Sequence, residues 1–429
     1  MRLTGLNFET IPRLDVPLRF YLTAPFFAVI AAGLLIWQGE YIWLGRWLPA
    51  SLAITHLVAI GMMAMIMIGS LFQIMPVLCG APISIPPVPL VLMQAGLILG
   101  TLALSVGFFG WPTFAASFVL LALSLGYFII SLLGVLFRKA GGQQTRVPIL
   151  LAGLALALVL LAGLLLLVGY LWGYYPITGK NLTHFHASTG IFGWVLLLIM
   201  AVSFQVIPMF HVTPEFPRHW RIALPLVLVA GLVSIAVATL FQFSLYYSSA
   251  LIAGVAILYA AVGLHRLRQR KRKLPDTVVS YWQWAYSCLI CGCLLMIALP
   301  LIPIHWQGKV EVFIALLIGM GFILGVIQGM LLKIVPFLIS LHLQPIAMSK
   351  PNAMMLLPDH YSLISRQQIK IQFRLYQLAM LSIVASLCFP PVTASIGLMM
   401  LLNWGWIGFN MASAGITYRR VRKEMLDKL

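Results

Sequence analysis

Three histidines stand where a polar side chain is expensive. His56 lies inside an almost uncharged apolar run, and His184 and His186 lie at the start of another. A neutral imidazole ligates haem iron, copper or zinc through one ring nitrogen. An ionisable group within a membrane span marks a functional site by default, because hydrocarbon does not solvate it. The same ring also serves as a hydrogen-bonding strut to a Ser, a Thr or a backbone carbonyl of a neighbouring helix. Both uses stand open for all three. The remaining histidines read as interfacial: His211, His219, His265, His342 and His360 fall in or beside basic segments, and His305 precedes an apolar run.

Little else in the chain carries chemistry. Cys288, Cys291 and Cys293 form a Cys-x-x-Cys-x-Cys run. On a helix the first two share a face and the third turns away, so one helix does not enclose a tetrahedral site and the run reads as small apolar packing. A Cu(I) path through these thiols and Met62, Met63, Met65 and Met67 is the sharper reading, since soft sulfur suits that ion. No Asp or Glu stands in the middle of an apolar run; Glu215 and Glu311 lie at edges. Proton-coupled transporters and redox pumps ordinarily carry buried carboxylates, so both readings lose ground. No phosphate-binding loop, dinucleotide motif or nucleophile triad is present.

The elements that position these residues follow from composition. Of 429 residues, 62% are hydrophobic and 8% charged. A water-facing surface on a chain of this size carries about 25% charged residues, so most of this chain faces lipid. Apolar runs of about 20 residues place spans at 20–38, 49–78, 87–108, 112–137, 147–170, 184–210, 220–242, 245–264, 280–301, 310–339, 372–390 and 393–415. The expected fold is an all-α integral membrane protein with twelve transmembrane helices. The one long loop, 340–371, holds Pro345, Pro351 and Pro358, which argues against a continuous helix there. Trp43, Trp47, Trp172, Tyr174 and Tyr175 read as an interfacial aromatic belt.

The net charge of +18 comes from 27 basic and 9 acidic residues. Its placement excludes a nucleic-acid partner, because the charges fall in short clusters between spans, as topology signals do. Arg138, Lys139 and Arg146; Arg218 and Arg221; Arg266, Arg268, Arg270, Lys271, Arg272 and Lys273; Lys350, Arg366, Lys370 and Arg374; and Arg419, Arg420, Arg422, Lys423 and Lys428 all share one side if the spans number twelve. The opposite loops hold little beyond Arg46, Lys180 and Lys309. Both termini are expected in the cytoplasm, in a bacterial-type inner membrane, with the bilayer as the first partner and lipid headgroups against the basic loops.

Spans 2, 6 and 10 end alike, on Pro76, Pro208 and Pro336. Seven residues before each proline stands a small residue (Gly69, Ala201, Gly329), three before it a long polar one (Gln73, Gln205, Lys333), and fifteen before it a glycine (Gly61, Gly193, Gly321). The prolines recur every four spans, which implies three four-helix units related by pseudo-threefold symmetry, over 1–137, 138–264 and 265–429. Small residues let helices approach closely, and each proline is expected to end its helix near the cytoplasmic face. Lys333 reads as snorkelling to that face or lining a shared cavity. In the repeat frame His56 aligns with Ser188. His56 lies roughly 30 Å from Pro76 at 1.5 Å per residue, toward the outer leaflet, as do His184 and His186. His184 shares the helix face of Ser188, and His186 points nearly opposite.

Twelve spans, a threefold four-helix repeat and a His near the outer end of span 2 resemble the catalytic subunit of haem–copper oxidases and nitric oxide reductases. His56 to Pro76, with Gly69, Phe72 and Pro76, looks like the second helix of the nitric oxide reductase branch. The resemblance implies that His56 binds a low-spin b-type haem, with His184 or His186 as the second ligand, or that these three hold copper. Span 10, which supplies a ligand to each haem in that family, has no His from Val310 to Ile339, and span 7, from Trp220 to Gln242, has none beyond His219 at its edge. The resemblance is therefore to a relative without the dinuclear centre, and not to a competent terminal oxidase or nitric oxide reductase. It is nearest the haem- and copper-containing twelve-helix family of the nitric oxide response, whose His-x-His-Glu-Met element is reduced here to His184-Phe185-His186-Ala187. It implies electron transfer to a redox partner, a gas or nitrosative-stress response, or metal handling. The rival from another class is a metal-free transporter or membrane scaffold on the same twelve helices.

Overall fold

The computed structural model describes residues 13–138, 143–174, 179–349 and 351–427; Lys139, Tyr175, Lys350 and Lys428 lie outside them. Among the described residues twelve helices are long and apolar enough to cross a bilayer: α1 Asp15–Leu44, α2 Pro49–Cys79, α3 Pro87–Gly107, α4 Phe114–Arg138, α5 Thr145–Trp172, α6 Asn181–His211, α7 Arg218–Phe241, α8 Tyr246–Arg268, α9 Thr277–Leu301, α10 Ile304–Ser349, α11 Arg366–Cys388 and α12 Pro390–Asp427. No strand occurs among the described residues. Helices satisfy their backbone groups within one segment, as hydrocarbon demands, and the chain is an all-helical, multi-pass membrane protein.

Helices α2, α6 and α10 each change winding partway. A π-helical stretch occupies Leu57–Ala64 in α2, Thr189–Leu196 in α6 and Leu317–Ile323 in α10. Leu57 precedes Pro76, Thr189 precedes Pro208 and Leu317 precedes Pro336 by the same number of residues, and each stretch holds the repeated glycine, Gly61, Gly193 or Gly321. Such i→i+5 turns are rare and concentrate at functional sites. Their recurrence in one register is the structural counterpart of the sequence repeat.

The prolines act differently from expectation. Pro76 and Pro208 lie inside their helices, which end one turn later at Cys79 and His211. In α10 the helix runs through both Pro336 and Pro345 to Ser349, where a loop was expected from residue 340. A proline removes one backbone donor and introduces a kink, and here surrounding packing holds the following turn. Beyond it come two short helices, Pro351–Met354 and His360–Leu363. Ser365 and Gln368 then start α11 with a reciprocal capping box, Gln368 N–H donating to Ser365 Oγ at 3.2 Å and Ser365 N–H to Gln368 Oε1 at 2.7 Å.

The chain forms two compact units. One comprises Leu71–Leu274 and Tyr286–Ile323, the other Pro12–Ser70, Pro275–Ala285 and Leu324–Leu429. In the first, a buried hydroxyl chain crosses three helices. Tyr286 donates to Tyr259 at 3.2 Å, Tyr259 meets Ser203 at 2.8 Å, and Ser203 donates to the Met200 carbonyl at 2.9 Å. A chain that ends on a carbonyl has no proton acceptor, so this one locks helices rather than relaying protons.

In the second unit small residues are contact points, among them the repeated Gly69 and Gly329. A Cβ on Gly69 would lie 2.9 Å from Phe20 Cβ, one on Gly329 would lie 2.7 Å from Tyr281 Cβ, and one on Gly397 would lie 2.7 Å from the Ala32 carbonyl oxygen. Amide rungs join α11 to α12: Gln368 Nε2 donates to Asn410 Oδ1 at 3.1 Å, and Gln372 Nε2 donates to Asn403. Trp43, expected in the aromatic belt, is buried instead and donates to Thr393 Oγ1 at 2.8 Å, whereas Trp47, Trp172 and Tyr174 are exposed. The indole N–H of a buried Trp needs a partner, and Thr393 provides it.

Candidate functional site

His56 is the last residue of the α-helical turn that leads into the π stretch of α2. Pro49 starts that turn, and Ala50 and Ala53 pack its inner face. The ring is half-buried, and its Nδ1 lies 2.8 Å from the Leu52 carbonyl oxygen. A carbonyl only accepts, so Nδ1 carries the proton and Nε2 keeps the lone pair. This is the tautomer of a histidine ligand whose far nitrogen is oriented by a backbone oxygen. His342 makes the same bond to Leu338 at 2.9 Å, so the arrangement prepares a ligand without being peculiar to one.

His184 and His186 lie on the first turns of α6, within Gly179–Ser188. That stretch is α-helical, so His184 shares the face of Ser188 and His186 points away, as the spacing predicts. His186 packs across to α5. Its Nδ1 lies 3.1 Å from the Val159 carbonyl oxygen, and a Cβ on Gly163 would fall 3.0 Å from its Cε1 and 4.0 Å from its Nε2. The ring thus lies along the backbone of α5 in a notch that Gly163 leaves open. Gly163 and the Val159 carbonyl are the functional neighbours that the sequence reading missed. The signal was present, because an isolated glycine in a Leu-rich run marks close helix approach.

The structure places His184 and His186 in the first unit and His56 in the second. Among the described residues no three His, Cys, Asp or Glu side chains converge into a metal-binding group. Cys288 and Cys293 are buried, Cys291 is exposed, and none of the three is in a disulfide. Met62, Met63, Met65 and Met67 are all buried as packing.

These observations bear on what the residues could hold. An ion bound by protein alone asks for three or four side chains. A haem asks for one or two imidazoles, because the porphyrin fills the other positions. His56, its ring oriented by the Leu52 carbonyl, is the imidazole that would hold a haem. His186, whose ring rests against α5 at Gly163 with Nδ1 on the Val159 carbonyl, fits a hydrogen-bonding strut between helices.

The polar repeat position is used three ways. Gln73 is buried, Gln205 is exposed, and Lys333 is half-buried with its ammonium 3.2 Å from Asp276 Oδ2. Lys333 is thus an ion-paired residue rather than a purely snorkelling one. Asp276 Oδ1 also accepts from the Val278 N–H at 2.9 Å, capping α9. His360 folds back beside this pair, with Nδ1 3.3 Å from Ser340 Oγ. Burial, with Lys333 adding to it and Asp359 opposing, holds the His360 imidazole below its ordinary range. Of the other histidines read as interfacial, His211 is buried at the end of α6, His219 and His265 are exposed, and His305 lies in the first turn of α10.

No protein-family model matches the chain, and no curated protein is similar to it.

Proposed function

We propose that this multi-pass membrane protein holds a b-type haem through His56 and serves electron transfer, gas sensing or a nitrosative-stress response rather than oxygen reduction. The observation that carries this reading is the His56 ring: half-buried in an uncharged stretch at the mouth of a π turn, with Nδ1 tied to the Leu52 carbonyl so that the imidazole is held in one orientation. Haem is favoured over a copper ion because no group of three or more His, Cys, Asp or Glu side chains forms among the described residues, and a haem needs only one or two imidazoles. The bound group would supply one-electron or gas-binding chemistry. The protein's share is to orient the imidazole and keep water from it.

The test is a reduced-minus-oxidised spectrum and a metal assay on protein purified from haem-replete cells. Haem near one per chain, with b-type bands lost or shifted in His56→Ala, is the expected result. Parallel spectra of His184→Ala and His186→Ala assign or exclude each of those imidazoles. A colourless preparation whose spectrum ignores His56→Ala would end the haem reading.

The metal-free transporter or scaffold keeps one specific support, the His186 ring engaged in helix packing at Gly163. Uptake by vesicles containing colourless protein would favour it. We further propose that the basic loops face the cytoplasm of a bacterial-type inner membrane, with both termini on that side; reporters fused after residues 138 and 427 should both read cytoplasmic.

A further inference from the structure

We propose that the loops 212–217 and 269–274 of the first unit form a preformed shelf that binds anionic phospholipid headgroups. Where α8 leaves its apolar stretch, Arg266, Arg268, Arg270, Lys271, Arg272 and Lys273 follow within eight residues. Arg266 is bonded to Gln269 Oε1 at 2.8 Å. None of the other five has a carboxylate partner among the described residues. The acid of the facing loop, Glu215, reaches Arg221 at 3.8 Å.

This charge is held on a fixed frame. The Lys271 N–H donates to the Val212 carbonyl at 2.9 Å, and Lys273 Nζ donates to the Arg268 carbonyl at 2.9 Å. Phe216, fully buried, packs its ring 5.0 Å from that of Phe204 and anchors the first loop. Leu267 is buried and anchors the second.

Val212 is the telling residue. Its φ of 53° is left-handed, which a β-branched side chain avoids. Strain of this kind persists only where surrounding structure enforces it. Here it turns the Val212 carbonyl onto Lys271 and leaves the isopropyl group 45% exposed, while Leu274 stands 58% exposed at the far end of the cations. Cations interspersed with outward apolar side chains, at the end of a membrane-spanning helix, match phosphate groups above acyl chains. Nucleic acid would leave both apolar groups in water.

The experiment uses full-length protein in nanodiscs of phosphatidylcholine with graded phosphatidylglycerol, counting retained lipid by native mass spectrometry. Wild type should enrich the anionic lipid, and raising salt from 0.1 to 0.5 M should weaken the enrichment, since headgroup attraction is screened. R268Q/R270Q/K271Q/R272Q/K273Q should lose it by at least about tenfold. R268K/R270K/R272K should keep most of it. V212G/L274S should lower phospholipid retention while leaving binding of inorganic phosphate unchanged. Enrichment that ignores salt, or that survives neutralisation of the five cations in folded protein, overturns the proposal. So does equal retention of the neutral lipid, or displacement of the lipid by a single-stranded oligonucleotide with V212G/L274S without effect.

Discussion

Substituting Gly61 with alanine tests whether the π turn of α2 is a built contact. A Cβ at Gly61 would lie 2.3 Å from Phe27 Cγ and Cδ1 and 2.9 Å from Phe27 Cβ. Carbon atoms rest at about 3.5–4.0 Å, so the ring must move by more than an ångström, and Phe27 is fully buried. Overpacking of this kind costs about 1–3 kcal/mol. Alanine regains up to about 1 kcal/mol of helix propensity, which leaves a net loss of about 1 kcal/mol. Phe27→Ala alone opens a cavity and costs about 3 kcal/mol or more. In the double variant the new methyl enters the space the ring has left. The loss should then be about 2 kcal/mol, the cavity cost less the same propensity gain, rather than the sum of the single losses, a coupling of about 2 kcal/mol. Unfolding in mixed lipid–detergent micelles, titrated with SDS, measures all three. Gly405→Ala is the control, because nothing lies within 4 Å of a Cβ there; it should be neutral or slightly stabilising. A Gly61→Ala protein as stable as wild type, or losses that simply add, would refute the contact.

Three further outcomes follow from the polar contacts. Asp276→Ala removes both the α9 cap and the partner of Lys333 and should cost about 1–2 kcal/mol, whereas Lys333→Met should cost less, since the pair is partly solvated and the cap survives; the reverse order in SDS unfolding would contradict this. Tyr259→Phe removes the acceptor of Tyr286 and the partner of Ser203 and should cost about 1–3 kcal/mol, against less for Ser203→Ala; equal stability of Tyr259→Phe and wild type would show that the hydroxyl chain locks nothing. His360, held below its ordinary value of 6.5 mainly by burial, binds fewer protons folded than unfolded just below that value. Its contribution is therefore complete above pH 6.5 and is lost as pH falls through the folded value. His360→Gln should flatten the stability profile on that acid side, and a steeper acid loss would reverse the sign.

Length and composition made the spans legible because hydrocarbon leaves few choices. A stretch such as 147–170 or 245–264 has no charge to spend in water, and an apolar run of that length can only be a helix. The ends were harder. The 340–371 segment carries three prolines, yet α10 absorbs Pro345 within a helix, because proline weakens one bond and neighbours decide whether the helix survives. Trp43 shows the same limit. Its type suits the interface, and only the fold reveals Thr393 as the partner that draws it inward.

His184 and His186 were legible as positions and as faces, His56 as a position alone, and the π turn explains why. An argument from spacing carries direction along a helix at 3.6 residues per turn. His184 and Ser188 lie within one α-helical stretch, so their shared face survives. His56 and Pro76 are separated by Leu57–Ala64, wound at i→i+5, and each wider turn rotates the outer half against the inner and shortens the path. The expected distance from His56 to Pro76 assumed a regular helix. The alignment of His56 with Ser188 escapes this error, because α2 and α6 carry the same π stretch at the same register. Removing one residue from the Leu57–Ala64 stretch should therefore redirect His56 without changing its identity. If a ligand at His56 depends on aim, that deletion abolishes its spectral signature while Val58→Ala, which keeps the count, retains it. A spectrum unchanged by the deletion would detach the π turn from the site.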